Sequence, residues 1–150
     1  APFTVTIQCE SGALSGTSTS TTTSANVAMG FLVNQSNAVT QARNLGLTTA
    51  GGGLTWLLDS HYGSSAAAAG VGIKIYDSHN MVLNLLPDRT LTGTGNGRGW
   101  YAYKDLTSQI SSGGSDIYSG DFTASLEAIS GQTITAGTVN AQLQVVVSFQ

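Results

Sequence analysis

Short segments in which apolar and polar residues alternate recur along most of the chain, and this period of two is typical of half-buried strands. Glycine, asparagine and serine separate the segments and supply turn chemistry, and no helix of useful length is predicted. The pattern therefore predicts an all-β sandwich. The predicted strands are residues 3–9, 27–33, 54–58, 71–77, 81–86, 122–129 and 139–150. In the sixth, Phe122, Ala124, Leu126 and Ala128 share one face.

The last segment shows the most regular alternation. Its apolar face consists of Val139, Ala141, Leu143, Val145, Val147 and Phe149, and its other face is mostly polar. A strand this regular buries one face, yet no later strand of this sequence is there to pair with it. An uncovered apolar edge of this length is an aggregation hazard. The cover is therefore either an earlier strand of the same chain or a strand supplied by another polypeptide.

This ending resembles the C-terminal motif of chaperone–usher pilins. Gly137 is followed by 13 residues, which is the spacing found in that family. Phe149, the next-to-last residue, stands where the family usually has tyrosine, so the ring is kept and the hydroxyl is lost. Residues 69–77, 120–128 and 3–9 resemble other strands of the family more weakly.

The resemblance implies a single pilin-like domain over residues 1–150. Its fold would be an incomplete immunoglobulin-like β-sandwich, the pilin fold, completed by a donor strand from another chain. Its function would be that of a structural subunit of a fimbrium, assembled by donor-strand exchange and contributing to bacterial adhesion. The implied partners are a periplasmic chaperone, an outer-membrane usher and neighbouring subunits, and the implied location is an extracellular fimbrium reached through the periplasm.

The resemblance also implies which residues form the site. Gly137 would be the motif glycine, and the chaperone would anchor the terminal carboxylate of Gln150 while its strand fills the groove. The residues that would line the chaperone and donor-strand groove are Val139, Ala141, Leu143, Val145, Val147, Phe149 and Gln150.

Cys9 is the only cysteine, so the chain cannot form an internal disulfide. It is either a buried thiol or a cysteine whose partner lies outside this chain. Pilins usually carry a disulfide, and if Cys9 matches the second of its two cysteines, the resemblance implies that the first strand and its cysteine are missing here. They would lie on a separate chain or in a removed segment, or the chain would be a pilin domain cut from an adhesin. A further alternative is that residues 3–9 are themselves a donor segment.

Composition and charge exclude several classes of function. The net charge is −3 and the five basic residues are scattered, so the clustered basic footprint of a nucleic-acid-binding protein is absent. His61 and His79 lack companion ligands at a spacing suited to a metal. Asp59, Ser60 and His61 lack the surroundings of a hydrolase nucleophile. We therefore expect no enzyme activity, no metal and no cofactor.

Three aromatic residues support an alternative function. Trp100, Tyr101 and Tyr103 follow a glycine-rich loop, and such a group is either core packing or a surface on which sugars stack. The second arrangement would make the chain a fimbrial tip adhesin that contacts a host receptor or glycan.

Residues 43–65 and 92–115 also look like insertions relative to simple pilins.

Overall fold

The alternating segments pair into two sheets in a computed structural model of the chain. The structure describes residues 1–10, 12–17, 26–90 and 95–149, without the side chains of Asn26 and Phe149. The strands are β1 (Pro2–Glu10), β2 (Leu14–Ser15), β3 (Asn26–Leu32), β4 (Val71–Tyr76), β5 (Tyr101–Ala102), β6 (Ser108–Ser111), β7 (Ser115–Ala128) and β8 (Gln144–Phe149). The helices are α1 (Ser36–Asn44), α2 (Tyr103–Leu106) and a single 3₁₀ turn, Gly95–Gly97.

The first sheet has the order β1-β7-β4, and β6 also pairs with β7. The second sheet has the order β2-β3-β5, and β8 pairs with the same β3. All pairs are antiparallel except β2 with β3. This architecture confirms the predicted all-β sandwich.

Three phenylalanine rings join the inner faces of the two sheets. Phe31 of β3 lies 5.0 Å from Phe122 of β7, measured between ring centroids, and Phe3 of β1 lies 5.5 Å from Phe122. Phe3 and Phe122 face the same way because they are opposite each other in the β1–β7 register. Phe31 and Phe122 are almost fully buried and fix the centre of the main core.

A second, smaller core lies on the outer face of the second sheet. It contains Ala28 and Leu32 of β3 together with Leu86, Trp100 and Val146. β3 is therefore buried on both faces, which explains why residues 27–33 form a nearly continuous apolar run rather than an alternating one.

The structure corrects the prediction that the chain lacks a helix of useful length. α1 has nine residues and buries Ala38, Val39 and Ala42. The prediction was wrong because the usual start signals are missing: Gln35 at the N-cap makes no side-chain cap, and the first turn has no acidic residue. The buried residues are spaced i, i+1 and i+4, and this spacing was the available signal.

Several strand boundaries also differ from the prediction. Residues 54–58 and 81–86 form isolated bridges, through Leu54, Leu57 and Val82 among others, rather than strands. The sixth predicted strand begins earlier, at Ser115, and the last begins later, at Gln144. The glycine-rich loop that precedes Trp100 lies partly outside the described residues.

Candidate functional site: an apolar groove beside the last strand

A groove opens between the inner faces of the two sheets, next to the C-terminal segment. Its volume is about 410 Å³. Its lining is almost entirely apolar and comes from both sheets: Phe3, Thr4, Val5, Phe31, Leu57, Ile73, Ile75, Ala124, Ala141, Leu143 and Val145. Three of the residues expected to line a donor-strand groove, Ala141, Leu143 and Val145, lie in this lining.

β8 borders the groove with a free edge. It pairs with β3 on one side, and among the described residues no strand pairs with its other side. The carbonyl of Phe31 and the N–H of Val33 pair with Leu86, so the backbone groups of Leu32, the residue between them, point to β8. By the same alternation, the N–H and C=O groups of Val145 and Val147 point to the free edge.

Apolar side chains remain partly bare around this edge. Val145 is 39% exposed and Val147 is 49% exposed, whereas Val146, which points to the other face of the sheet, is buried. On the opposite sheet, Leu126 shares the inner face with Phe122 but is 60% exposed. Leu126 therefore lies on the face that the alternation predicts, but the sandwich does not cover it. The sandwich is well packed at its centre and open along the groove.

Gly137 is required by a close approach of two backbone segments. A methyl group at this position would lie 2.4 Å from the backbone nitrogen of Ala68 and 2.5 Å from the carbonyl carbon of Ala67. The next residue, Thr138, donates its N–H to Ala66 (3.0 Å) and accepts the N–H of Ala68 (2.9 Å). The glycine therefore lets the chain cross closely behind residues 66–68 just before it reaches the groove.

Residues 139–143 continue the alternation, although the structure assigns them to no strand. Val139, Ala141 and Leu143 are half-buried, whereas Asn140 and Gln142 are exposed. Of the other predicted groove residues, Val139 and Val147 are not part of the groove lining. The side chain of Phe149 and all of Gln150 lie outside the described residues.

The three aromatic residues considered as a receptor contact are buried. Trp100 is 1% exposed and belongs to the second core. Tyr101 accepts the N–H of Asn84 through its hydroxyl (2.9 Å), and Tyr103 donates its hydroxyl to the Ala13 carbonyl (3.1 Å). Burial raises the pKa of both tyrosines. Their rings pack inward, so they do not form a surface on which a sugar could stack.

Cys9 lies near the end of β1, half-buried and opposite Asp116 in the β1–β7 register. Burial, and then the carboxylate of Asp116, raises the pKa of its thiol. Residues 3–9, the alternative donor segment, pair with β7 of the first sheet along their whole length. It is therefore an integral strand of this domain rather than a free arm.

The candidate catalytic residues do not form a reactive arrangement. Asp59 is buried, and its carboxylate accepts backbone N–H groups rather than the imidazole of His61. Ser60 Oγ lies 3.1 Å from His61 Nδ1, at the surface. Within residues 1–10, 12–17, 26–90 and 95–149, no three metal-ligating side chains cluster. No helix in those same ranges is long and apolar enough to cross a membrane.

A family model described as "Fimbrial protein" matches residues 1–150, which is the whole chain. A search of curated proteins found no match.

Proposed function

Because this chain belongs to the fimbrial protein family, we propose that it is a structural pilus subunit that accepts a donor strand in the groove beside β8. Membership alone makes it a pilus subunit, part of a surface fimbrium, in a family that is structural rather than enzymatic. It also implies association with other pilus subunits, and it confirms the resemblance as that of a fimbrial pilin. Donor-strand exchange, the chaperone and the usher are the finer part of the proposal.

The observation that carries the proposal is an apolar groove beside a free strand edge. The groove supplies apolar surface, and the backbone groups of Val145 and Val147 supply unpaired donors and acceptors along its border. An extended peptide with alternating apolar side chains satisfies both at once, which is the physical basis of β-strand addition. Burying four or five such side chains contributes about 10 kcal/mol before entropic costs.

The same groove explains why partners would be needed before assembly. A free edge flanked by half-exposed valines invites pairing with any other chain. In the proposed sequence of events, a periplasmic chaperone first covers the edge and holds the terminal carboxylate of Gln150. The outer-membrane usher then brings in the next subunit, whose extension replaces the chaperone strand. The receptor-binding alternative has no comparable support, because Trp100, Tyr101 and Tyr103 are buried.

Two matched substitutions test the proposal. Leu143 lines the groove, whereas the neighbouring Gln142 is exposed on the opposite face. We expect Leu143→Asp to abolish accumulation of the subunit in the periplasm, because a carboxylate in the groove prevents strand insertion. Gln142→Asp adds the same charge one residue away and should leave accumulation unchanged, as measured by immunoblot of periplasmic extracts. Equal accumulation of the two variants contradicts the groove assignment.

A further inference from the structure

Residues 138–143 form the acceptor rim, and backbone and side-chain bonds to the stretch around Asp59 hold this rim on the side away from the groove. This stretch lies in residues 43–65, which look like an insertion relative to simple pilins. Thr138 pairs with Ala66 and Ala68, and two residues later Asn140 accepts the N–H of Ser60 (2.9 Å). One side of the rim is thus tied to the body of the domain, while Ala141 and Leu143 line the groove.

Asp59 supplies the contact that a neighbouring strand would otherwise supply. Its side chain is 2% exposed. One carboxylate oxygen accepts the N–H of His61 (2.7 Å), and the other accepts the N–H of Asn140 (2.5 Å). No cation pairs with this carboxylate among the residues that the structure describes. The backbone N–H groups are therefore its partners, and bonds to a charged acceptor are stronger than neutral ones.

Helix α1 fixes the turn that carries Asp59. The side-chain amide of Asn37 donates to the carbonyl oxygens of Ser60 and Tyr62, both at 3.1 Å. The hydroxyl of Tyr62 in turn accepts the N–H of Gly70 (2.9 Å), the residue directly before β4. The carboxylate is therefore placed by the helix on one side and by the first sheet on the other.

A rim that is already extended binds a donor strand more tightly, because ordering it during binding would cost part of the binding free energy. Among the described residues, the rim segment 139–143 has no strand ladder of its own. From these contacts we infer that Asp59 is a positioning residue for strand capture. It holds the N–H of Asn140 so that Ala141 and Leu143 project into the groove in advance. This inference rests on the proposed function and adds to it a role for the inserted segment.

The chain offers a matched control for testing Asp59. Asp77 also accepts two backbone N–H groups, those of His79 and Met81, both at 2.9 Å, but it does so in an exposed turn outside the groove lining. Replacing either aspartate by asparagine removes one negative charge and keeps the shape. Asp59 accepts its two N–H groups through different oxygens, so asparagine must give up one of them, whereas Oδ1 of Asp77 accepts both of its N–H groups and an amide oxygen can keep them. Asp77→Asn therefore controls for the lost charge, and Asp59→Asn in addition weakens the hold on the rim.

The probe is a fluorescent peptide of about ten residues in which valine and isoleucine alternate with threonine. A peptide of the same composition with its apolar residues in one block is the control. We expect the natural sequence and Asp77→Asn to bind the alternating peptide equally. We expect Asp59→Asn to bind it about tenfold more weakly, because one charge-assisted hydrogen bond to the rim is lost.

A second readout separates positioning from general stability. In Asp59→Asn, amide exchange at Asn140 and Ala141 should accelerate, while amides in the β1–β7 ladder keep their protection. If Asp59→Asn does not fold, Asn37→Ala takes its place. This variant removes the amide that holds the carbonyls of Ser60 and Tyr62 in the same turn, and it should show both effects at smaller size.

The outcomes separate the two proposals. If the natural sequence binds the alternating peptide no more tightly than the block peptide, the proposed function fails, and this inference fails with it. If the natural sequence binds the alternating peptide and Asp59→Asn, or Asn37→Ala in its place, binds it as Asp77→Asn does, the donor-strand function stands and the positioning role of Asp59 is overturned.

Discussion

β3 and β8 are neighbours in one sheet, yet their surroundings are opposite. β3 has partners along both edges and a core on each face: Phe31 points into the main core and Leu32 into the second one. β8 has one partnered edge and one well-buried residue, Val146, whereas Val145, which lines the groove, and Val147 are half-exposed. The difference shows that the opening is local. The domain is incomplete along one strand edge, while the strand next to it is as covered as any central strand.

The largest expected effect tests whether β3 is the stable side of this comparison. Phe31→Ala removes a ring that contacts Phe3 and Phe122, and it should lower the free energy of unfolding by about 3–5 kcal/mol. Val145→Ala removes methyl groups that already face the open groove, so it should cost less than about 1 kcal/mol. Urea unfolding of both variants measures the difference. Similar losses would mean that β8 is packed in solution as tightly as β3.

A smaller effect concerns the loop that covers the outer face of β3. Asp88 accepts the N–H and the hydroxyl of Thr90 and pairs with the buried Arg98 at 2.9 Å. These contacts, the N–H of Thr90 first, hold the pKa of Asp88 at about 2. Because the folded pKa lies below the ordinary value of 3.8, the carboxylate stabilises the fold above that value. This contribution is lost as the pH falls from 3.8 towards 2.

Asp88→Asn should flatten that part of the pH dependence. The Asp88 side chain is 40% exposed, so solvent screens the interaction and the difference should be modest. Thermal unfolding followed from about pH 5 to about pH 2 measures it. A natural sequence and a variant that lose stability in parallel over this range would show that Asp88 does not secure the loop.

The sequence predicted the parts of the site that depend on local periodicity. The alternation of residues 139–150 predicts one apolar face, because a strand's side chains alternate whatever lies beside it, and Ala141, Leu143 and Val145 of that face line the groove. The spacing of Gly137 from the end identified the motif through resemblance. Its physical reason, the contact with Ala67 and Ala68, joins segments about 70 residues apart in the chain, so no local pattern could reveal it.

Features set by long-range packing could not be predicted. Trp100 and Tyr103 follow a glycine-rich loop, and local sequence allowed either a surface or a core. Packing against the outer face of β3 buries Trp100, and a hydrogen bond to Ala13 fixes Tyr103. The helix α1 was missed because its start lacks a cap and a charge. The sequence indicates Asp59 only as a catalytic candidate, because its bond to Asn140 joins residues 81 positions apart.

Amide hydrogen exchange along β8 tests the central claim most directly. In the isolated subunit, the amides of Gln144 and Val146 should be protected by β3, and those of Val145 and Val147 should exchange quickly, because they point to the free edge. In the assembled fibre or the chaperone complex, Val145 and Val147 should become protected as well. If they are already protected in the isolated monomer, or remain unprotected in the fibre, the edge of β8 does not accept a donor strand.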